Sequence, residues 1–179
     1  MREILFDELK ASASKIQWFF CDIDGTLTDG SVYYSPEGEL LKRFSLRDGT
    51  GFFLLKQCGI KTGFITTECS PIVEQRAKKL MIDKYIFGTH KKLEAMQQFV
   101  KNEGISLENI AFIGDELNDV KLLEACGLGF AVGDACQHTK DAATILCKER
   151  GGQGAFREAV ETLLKLQEYD INEIVINSL

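Results

Sequence analysis

Asp22 and Asp24 lie one residue apart in the segment Phe19-Phe-Cys-Asp-Ile-Asp-Gly-Thr-Leu-Thr28. In a continuing strand that spacing aims both carboxylates the same way. Gly25 then permits a sharp turn that brings backbone N–H groups towards a bound anion. Two carboxylates held close repel each other, and a divalent cation removes the repulsion. A site built of Asp oxygens and water is what Mg²⁺ prefers. The same residues also fit a strand that simply ends in an Asp-Gly turn.

Three further places hold side chains that a site for an anion and a divalent cation could use. Thr66 follows an apolar run, Lys92 opens a helix-like segment, and Gly114-Asp-Glu-Leu-Asn-Asp119 gathers carboxylates after another apolar run. Taken singly each has a plain structural reading: a threonine at a strand end, a solvated lysine, and an acidic helix start in which Asp satisfies free N–H groups.

These residues need elements to position them. Ile16-Gln-Trp-Phe-Phe-Cys21 is a nearly continuous apolar run, as in a strand buried on both faces of a parallel sheet. Similar runs at 62–66, 84–87, 110–113 and 128–132 alternate with helix-like segments at about 49–58, 70–81, 90–103 and 117–125. The alternation predicts an α/β fold, a Rossmann-like three-layer sandwich around a parallel sheet. Ligands bind such sheets at the carboxyl ends of the strands, and the clusters at 22–28, 66–68 and 115–119 all fall there.

Residues 31–46 interrupt the alternation: two strand-forming stretches flank Ser35-Pro-Glu-Gly38, a turn signal, and predict a β-hairpin flap over the site. A short amphipathic segment lies near 4–14. Gly151-Gly-Gln-Gly154 precedes a helix to about Tyr169, and the tail beyond carries no assignment. The chain reads as one domain over 1–179, with the C-terminal helix and tail at about 154–179.

Asp-Ile-Asp-Gly-Thr-Leu-Thr28 resembles the first motif of the haloacid dehalogenase superfamily, and Thr66, Lys92 and Gly114–Asp119 follow in that superfamily's order. The resemblance implies a phosphohydrolase. Asp22 would be the nucleophile that forms an aspartyl-phosphate, and Asp24 the general acid for the leaving alcohol and then the base for water. Gly25 and Thr26 would offer backbone N–H groups to the phosphate, and Thr66, Thr67 and Lys92 would hold it. Mg²⁺ would be bound by Asp22, the Asp24 backbone carbonyl and Asp115, while Glu116 and Asp119 orient Lys92 or metal-bound water.

The stretches from Asp22 to Thr66 and from Lys92 to Asp115 are filled by the hairpin, two helices and a strand, which leaves no room for a cap domain. A capless site is poorly shielded from water unless another subunit covers it, so a homo-oligomer is expected, and a homotetramer is what the resemblance to the capless branch implies. Leu27-Thr-Asp-Gly30, Arg47-Asp-Gly-Thr-Gly51, Arg76-Ala-Lys-Lys-Leu80 and Gly151-Gly-Gln-Gly-Ala-Phe-Arg-Glu158 resemble the 3-deoxy-D-manno-octulosonate 8-phosphate phosphatases. That group implies a sugar-acid phosphate substrate and a place in lipopolysaccharide biosynthesis. One departure stands out: the group usually reads Thr-Gly-Arg where this chain has Thr66-Thr67-Glu68. An arginine can pair a carboxylate bidentately, whereas a glutamate repels it and accepts hydrogen bonds from hydroxyl or amine groups. Glu68 with Lys79 looks more like the phosphatases of nonulosonate 9-phosphates. Arg157, Lys42 and Arg43 are candidates for the substrate carboxylate. A non-catalytic regulatory subunit on the same fold is the alternative of another class.

The net charge of −6 argues against a general nucleic-acid surface, which needs concentrated Lys and Arg. The six cysteines form no CxxC pair and read as small hydrophobes rather than disulfides or zinc ligands. No apolar run approaches a membrane span, and Met1–Glu8 lacks a signal-peptide pattern, so a cytoplasmic protein without a membrane or nucleic-acid partner is expected.

Overall fold

Trp18, Phe19, Phe20 and Cys21 of the first apolar run are all buried, because their alternate side chains enter two different cores. Phe19 and Cys21 join one cluster and Trp18 and Phe20 the other, as the two-residue period of a strand requires. The structure, a computed structural model, describes residues 6–176.

In chain order the elements are α1 (Phe6–Ala13), β1 (Trp18–Cys21), β2 (Thr28–Ser35), β3 (Gly38–Phe44), α2 (Leu46–Gln57), β4 (Lys61–Ile65), α3 (Pro71–Leu80) and β5 (Lys84–Ile86). They continue with α4 (Lys92–Glu103), β6 (Ile110–Gly114), α5 (Val120–Ala125), β7 (Leu128–Ala131), α6 (Gln137–Ala142), β8 (Ile145–Leu146), α7 (Ala155–Leu166) and α8 (Ile171–Ile176). Six strands form one parallel sheet in the order β5-β4-β1-β6-β7-β8. The chain builds outward from β1 through β4 to β5, then returns to place β6 on the other side. The switch in direction lies at β1, where a sheet of this kind opens a crevice at the strands' carboxyl ends.

Side chains from α1, α2, α3 and α7 fill one face of the sheet, and those of α4 and α5 the other. The first core is knitted by aromatic rings: Phe156 of α7 stacks on Phe52 of α2 at 4.1 Å between centroids and meets Phe19 of β1 edge-on at 5.2 Å. Removing a ring of this kind costs about 3–5 kcal/mol. Helix starts are capped locally. Ser45 accepts from the N–H groups of Arg47 and Asp48, and Ser70 accepts from that of Val73, with Pro71 opening α3.

The hairpin expected at 31–46 spans 28–44, beginning earlier because β2 runs directly out of the Asp22 loop. Its two strands form a separate antiparallel pair, and no cap domain is present among the described residues. The helix expected at 117–125 is split: Leu117–Asp119 forms a 3₁₀ turn, since the Asp119 side chain accepts the backbone N–H groups of Asp115 and Glu116. The short elements α6 and β8 were not expected, and α8 falls in the unassigned tail. Residues 4–5 of the predicted amphipathic segment and 177–179 of the tail lie outside the described residues. No described helix is long and apolar enough to cross a membrane.

Candidate active site

Asp22 stands where β1 ends. Its N–H still donates to the Ile113 carbonyl at 3.0 Å, so the sheet fixes its direction before the chain turns. The turn closes on the Ile23 carbonyl, which accepts from Thr26, Leu27 and Thr28 at 3.2, 2.9 and 3.0 Å. Gly25 adopts φ +84°, and a Cβ there would lie 2.0 Å from an Asp115 carboxylate oxygen. Only glycine lets this loop approach the second carboxylate so closely.

Asp115 follows β6, the neighbour of β1, and its Oδ1 accepts the Thr26 hydroxyl at 2.8 Å. One oxygen each from Asp22, Asp115 and Asp119 lie within 4.8 Å of one another. Asp119 is already occupied: its Oδ1 accepts from Lys92 at 2.5 Å, and its Oδ2 from the N–H groups of Asp115 and Glu116 at 3.0 and 3.2 Å. Asp22 and Asp115 are therefore the carboxylates best placed to bind a cation. Their donor atoms are all oxygen, and the buried charge exceeds what one lysine balances, which suits a hard divalent ion such as Mg²⁺.

The electrostatics follow from that crowding. Burial pushes the Asp22 carboxyl up to about 6, with Lys92 opposing and Asp119 adding to the rise. Burial, then the charge of Asp22, pushes Asp115 up to about 8. Burial works to lower the Lys92 ammonium, but Asp22 and Asp119 outweigh it and the pKa is raised. Lys92 opens α4 with its side chain fully buried and lies 2.8 Å from Asp22 Oδ1.

Thr66 directly follows β4 and is buried, its N–H donating to the Ile86 carbonyl at 3.0 Å and its Oγ1 accepting from the Glu68 N–H at 3.3 Å. Thr67 and Glu68 line a cleft of about 300 Å³ together with Asp24, Ser70 and the flap residues Val32, Tyr34, Glu39 and Lys42. A larger cavity of about 520 Å³ opens among Gln17, Lys61 and Tyr169, near the amino ends of β1 and β4. Neither lining includes Asp22, Asp115 or Asp119, but the smaller cleft is lined by Asp24, two residues along the chain from Asp22.

The structure does not gather every candidate there. The Gly25 N–H donates to Thr28 Oγ1 and that of Thr26 to Ile23, each at 3.2 Å, bonds that a phosphoryl oxygen would have to displace. Glu116 is exposed and accepts from the N–H of Leu117 at 2.8 Å, not from Lys92. Lys79 is exposed on the last turn of α3, and Arg157 pairs with Glu161 at 2.7 Å; neither lines the cleft. Arg43 pairs with Asp29 at 3.4 Å. Lys42, suggested for the substrate carboxylate, is instead buried against Asp24 at 2.5 Å and Glu39 at 3.1 Å, so its charge is already matched.

A profile for haloacid dehalogenase-like hydrolases matches residues 73–156. The 3-deoxy-D-manno-octulosonate 8-phosphate phosphatase of Haemophilus influenzae is 35% identical over 159 residues, covering 89% of this chain and 88% of the relative. The Yersinia pestis phosphatase of the same name is 33% identical, covering 90% and 87%. Among solved structures, the Moraxella catarrhalis phosphatase in complex with magnesium, phosphate and KDO superposes with a TM-score of 0.91 at 36% identity, covering 97% of this chain and 99% of that one. The cobalt-bound Haemophilus influenzae structure gives 0.87 at 33% identity, covering 92% and 99%.

The chain belongs to the haloacid dehalogenase superfamily, in the octulosonate 8-phosphate phosphatase group.

Within this haloacid dehalogenase fold, the sequence reading missed how the site is buttressed. Gly151 packs so closely on the Asp22 loop that a Cβ would lie 1.7 Å from the Gly25 carbonyl oxygen, and the Gly152 N–H donates to the Thr26 carbonyl at 2.9 Å. The run Gly151-Gly-Gln-Gly154 was the visible signal; its contact was not. Buried Asp48 accepts from the N–H groups of Gly154 and Arg157 at 3.3 and 3.0 Å, and so anchors the start of α7 beside the same loop.

Proposed function

We propose that this chain is a magnesium-dependent phosphatase that hydrolyses 3-deoxy-D-manno-octulosonate 8-phosphate through an aspartyl-phosphate on Asp22. The observation that carries the reading is the buried Lys92–Asp22 pair beside Asp115, two residues along the chain from Asp24, which lines the cleft. Binding alone would not need both a nucleophile and an acid, which sets the regulatory-subunit reading aside.

In the first half-reaction an Asp22 oxygen attacks phosphorus while Asp24 gives a proton to the departing sugar oxygen. In the second, water attacks the aspartyl-phosphate and returns a proton to Asp24. Lys92 and the hydroxyl of Thr66, with Thr67 beside it, meet the charge on the phosphoryl oxygens, joined by the N–H groups of Gly25 and Thr26. Asp119 holds Lys92 in line. Asp22, Asp115 and the Asp24 carbonyl would hold Mg²⁺, which when bound would neutralise the two carboxylates and the phosphate.

The whole chain acts as one domain, and a homotetramer covers the open cleft. Tyr33, Tyr34, Leu40 and Leu41 leave the flap with exposed apolar surface that such an assembly would bury. The enzyme would work in the cytoplasm, supplying free octulosonate for lipopolysaccharide biosynthesis. A second reading, a nonulosonate 9-phosphate substrate, is favoured by Glu68 in the cleft, which would repel a carboxylate and accept hydrogen bonds from hydroxyl or amine groups. The test is kcat/KM with Mg²⁺ for the octulosonate and nonulosonate phosphates, on the wild type and on Glu68→Arg. A clear preference for the eight-carbon compound is expected. A preference for the nine-carbon acid that Glu68→Arg reverses would establish the second reading instead.

A further inference from the structure

We propose that Lys42, carried by the flap, is a positioning residue for Asp24: it fixes which carboxylate oxygen delivers the proton to the leaving group. The inference rests on the reading of Asp24 as the acid and base.

Lys42 is the one fully buried residue of β3, between exposed Leu41 and Arg43. Its side chain is 2% exposed, with Nζ 2.5 Å from Asp24 Oδ1 and 3.1 Å from Glu39 Oε1. The chain of contacts continues, since the Ser70 hydroxyl donates to the other oxygen of Glu39 and Ser70 itself caps α3. One line of hydrogen bonds thus runs from the α3 start through Glu39 and Lys42 to Asp24, tying the flap to the body of the protein at the acid.

Stability alone does not account for this lysine. Burying an ammonium with its partners gains little over an apolar residue of similar volume, and often less than nothing. Geometry offers a reason. The terminal torsion of an aspartate is broad and nearly two-fold, so a free Asp24 would present either oxygen to the cleft. Lys42 commits Oδ1, and among the described residues no hydrogen bond reaches Oδ2. The Asp24 side chain is 27% exposed on the cleft, leaving Oδ2 as the oxygen for the leaving group. When Asp22 attacks, the bond from phosphorus to the sugar oxygen breaks, and the Oδ2 proton goes to that oxygen to make the alcohol. The water that later cleaves the aspartyl-phosphate gives its proton back to Oδ2, releasing inorganic phosphate and free Asp22.

The test compares a sugar phosphate, whose alkoxide needs a proton to leave, with p-nitrophenyl phosphate, whose phenolate does not. The parameter is kcat/KM, which reports only the steps up to departure of the leaving group. For Lys42→Met with Mg²⁺ we expect a fall of about 100-fold on the sugar phosphate and about threefold on the aryl phosphate. In Lys42→Ala, added propylamine should restore sugar-phosphate turnover at least tenfold. Equal losses on both substrates would overturn the proposal in favour of a prop for the flap, and no loss on either would overturn it outright. Wild-type protein inactive on both substrates would overturn the phosphatase reading and this inference with it. Active wild type with equal losses in the variant overturns this inference alone.

Discussion

The Lys92 ammonium lies 2.8 Å from Asp22 Oδ1 with its side chain wholly withdrawn from water. A buried lysine survives there because Asp119 holds its other side at 2.5 Å, so that one cation sits between two carboxylates. The arrangement keeps the Asp22 carboxylate oriented and partly neutralised. Its energetic and chemical consequences can be measured separately.

Asp22→Asn keeps the volume of the side chain and leaves Lys92 its Asp119 partner, so the protein should fold with a melting temperature close to the wild type. Phosphate release in the presence of Mg²⁺ should fall by about 10⁴-fold or more, because the nucleophile is gone. Measured turnover near the wild-type rate would remove Asp22 from the mechanism.

Lys92→Met leaves Asp22 and Asp119 buried without their cation. Breaking a buried pair in this way costs about 3–5 kcal/mol. The urea midpoint should drop accordingly, and turnover should fall by at least about 100-fold because the phosphate loses a donor. A midpoint equal to the wild type would show that the lysine is not the counter-charge described.

Stability without divalent metal should decline as pH rises. Asp22 and Asp115 are raised to about 6 and about 8, so the folded protein binds their protons more tightly than the unfolded chain does. Their contribution is complete below the unfolded carboxylate range near pH 4, and is lost between about pH 4 and 6 for Asp22 and between about pH 4 and 8 for Asp115, by up to about 1.4 kcal/mol per pH unit for each group. Saturating Mg²⁺ favours the ionised carboxylates and opposes that loss. Urea unfolding at pH 5 and pH 8, with EDTA and with Mg²⁺, should show stabilisation by Mg²⁺ that grows with pH; an equal effect at both values would contradict the ligand assignment.

Gly151→Ala would drive a methyl group to within 1.7 Å of the Gly25 carbonyl oxygen, a backbone atom that cannot swing aside. Strain of at least about 2 kcal/mol is expected, with weaker Mg²⁺ binding because the Asp22 loop must shift. Thermal melting and a Mg²⁺ titration followed by turnover check the two effects. Unchanged values would mean that the loops do not pack as described.

Much of the fold was legible because its signals are local. The apolar runs before Asp22, Thr66 and Asp115 mark strands that lie on or beside β1, and the acidic and hydroxyl residues directly follow them. The superfamily resemblance implied Glu116 and Asp119 alike as partners for Lys92 or for metal-bound water. The two-residue β8 and six-residue α6 and α8 were not legible, being too short to show a periodicity of their own.

By itself, then, the sequence determined the α/β class, the flap, the absence of room for a cap, and the positions of Asp22, Asp24, Thr66, Lys92 and Asp115 at strand ends and a helix start. Each depends on residues adjacent in the chain. Only the tertiary structure decided that Lys42 faces Asp24 rather than a substrate, that Glu116 points to solvent while Asp119 takes Lys92, and that Gly151 braces Gly25. Those outcomes depend on which charges are buried together, and burial is settled by segments far apart in sequence once the sheet and flap have closed around them.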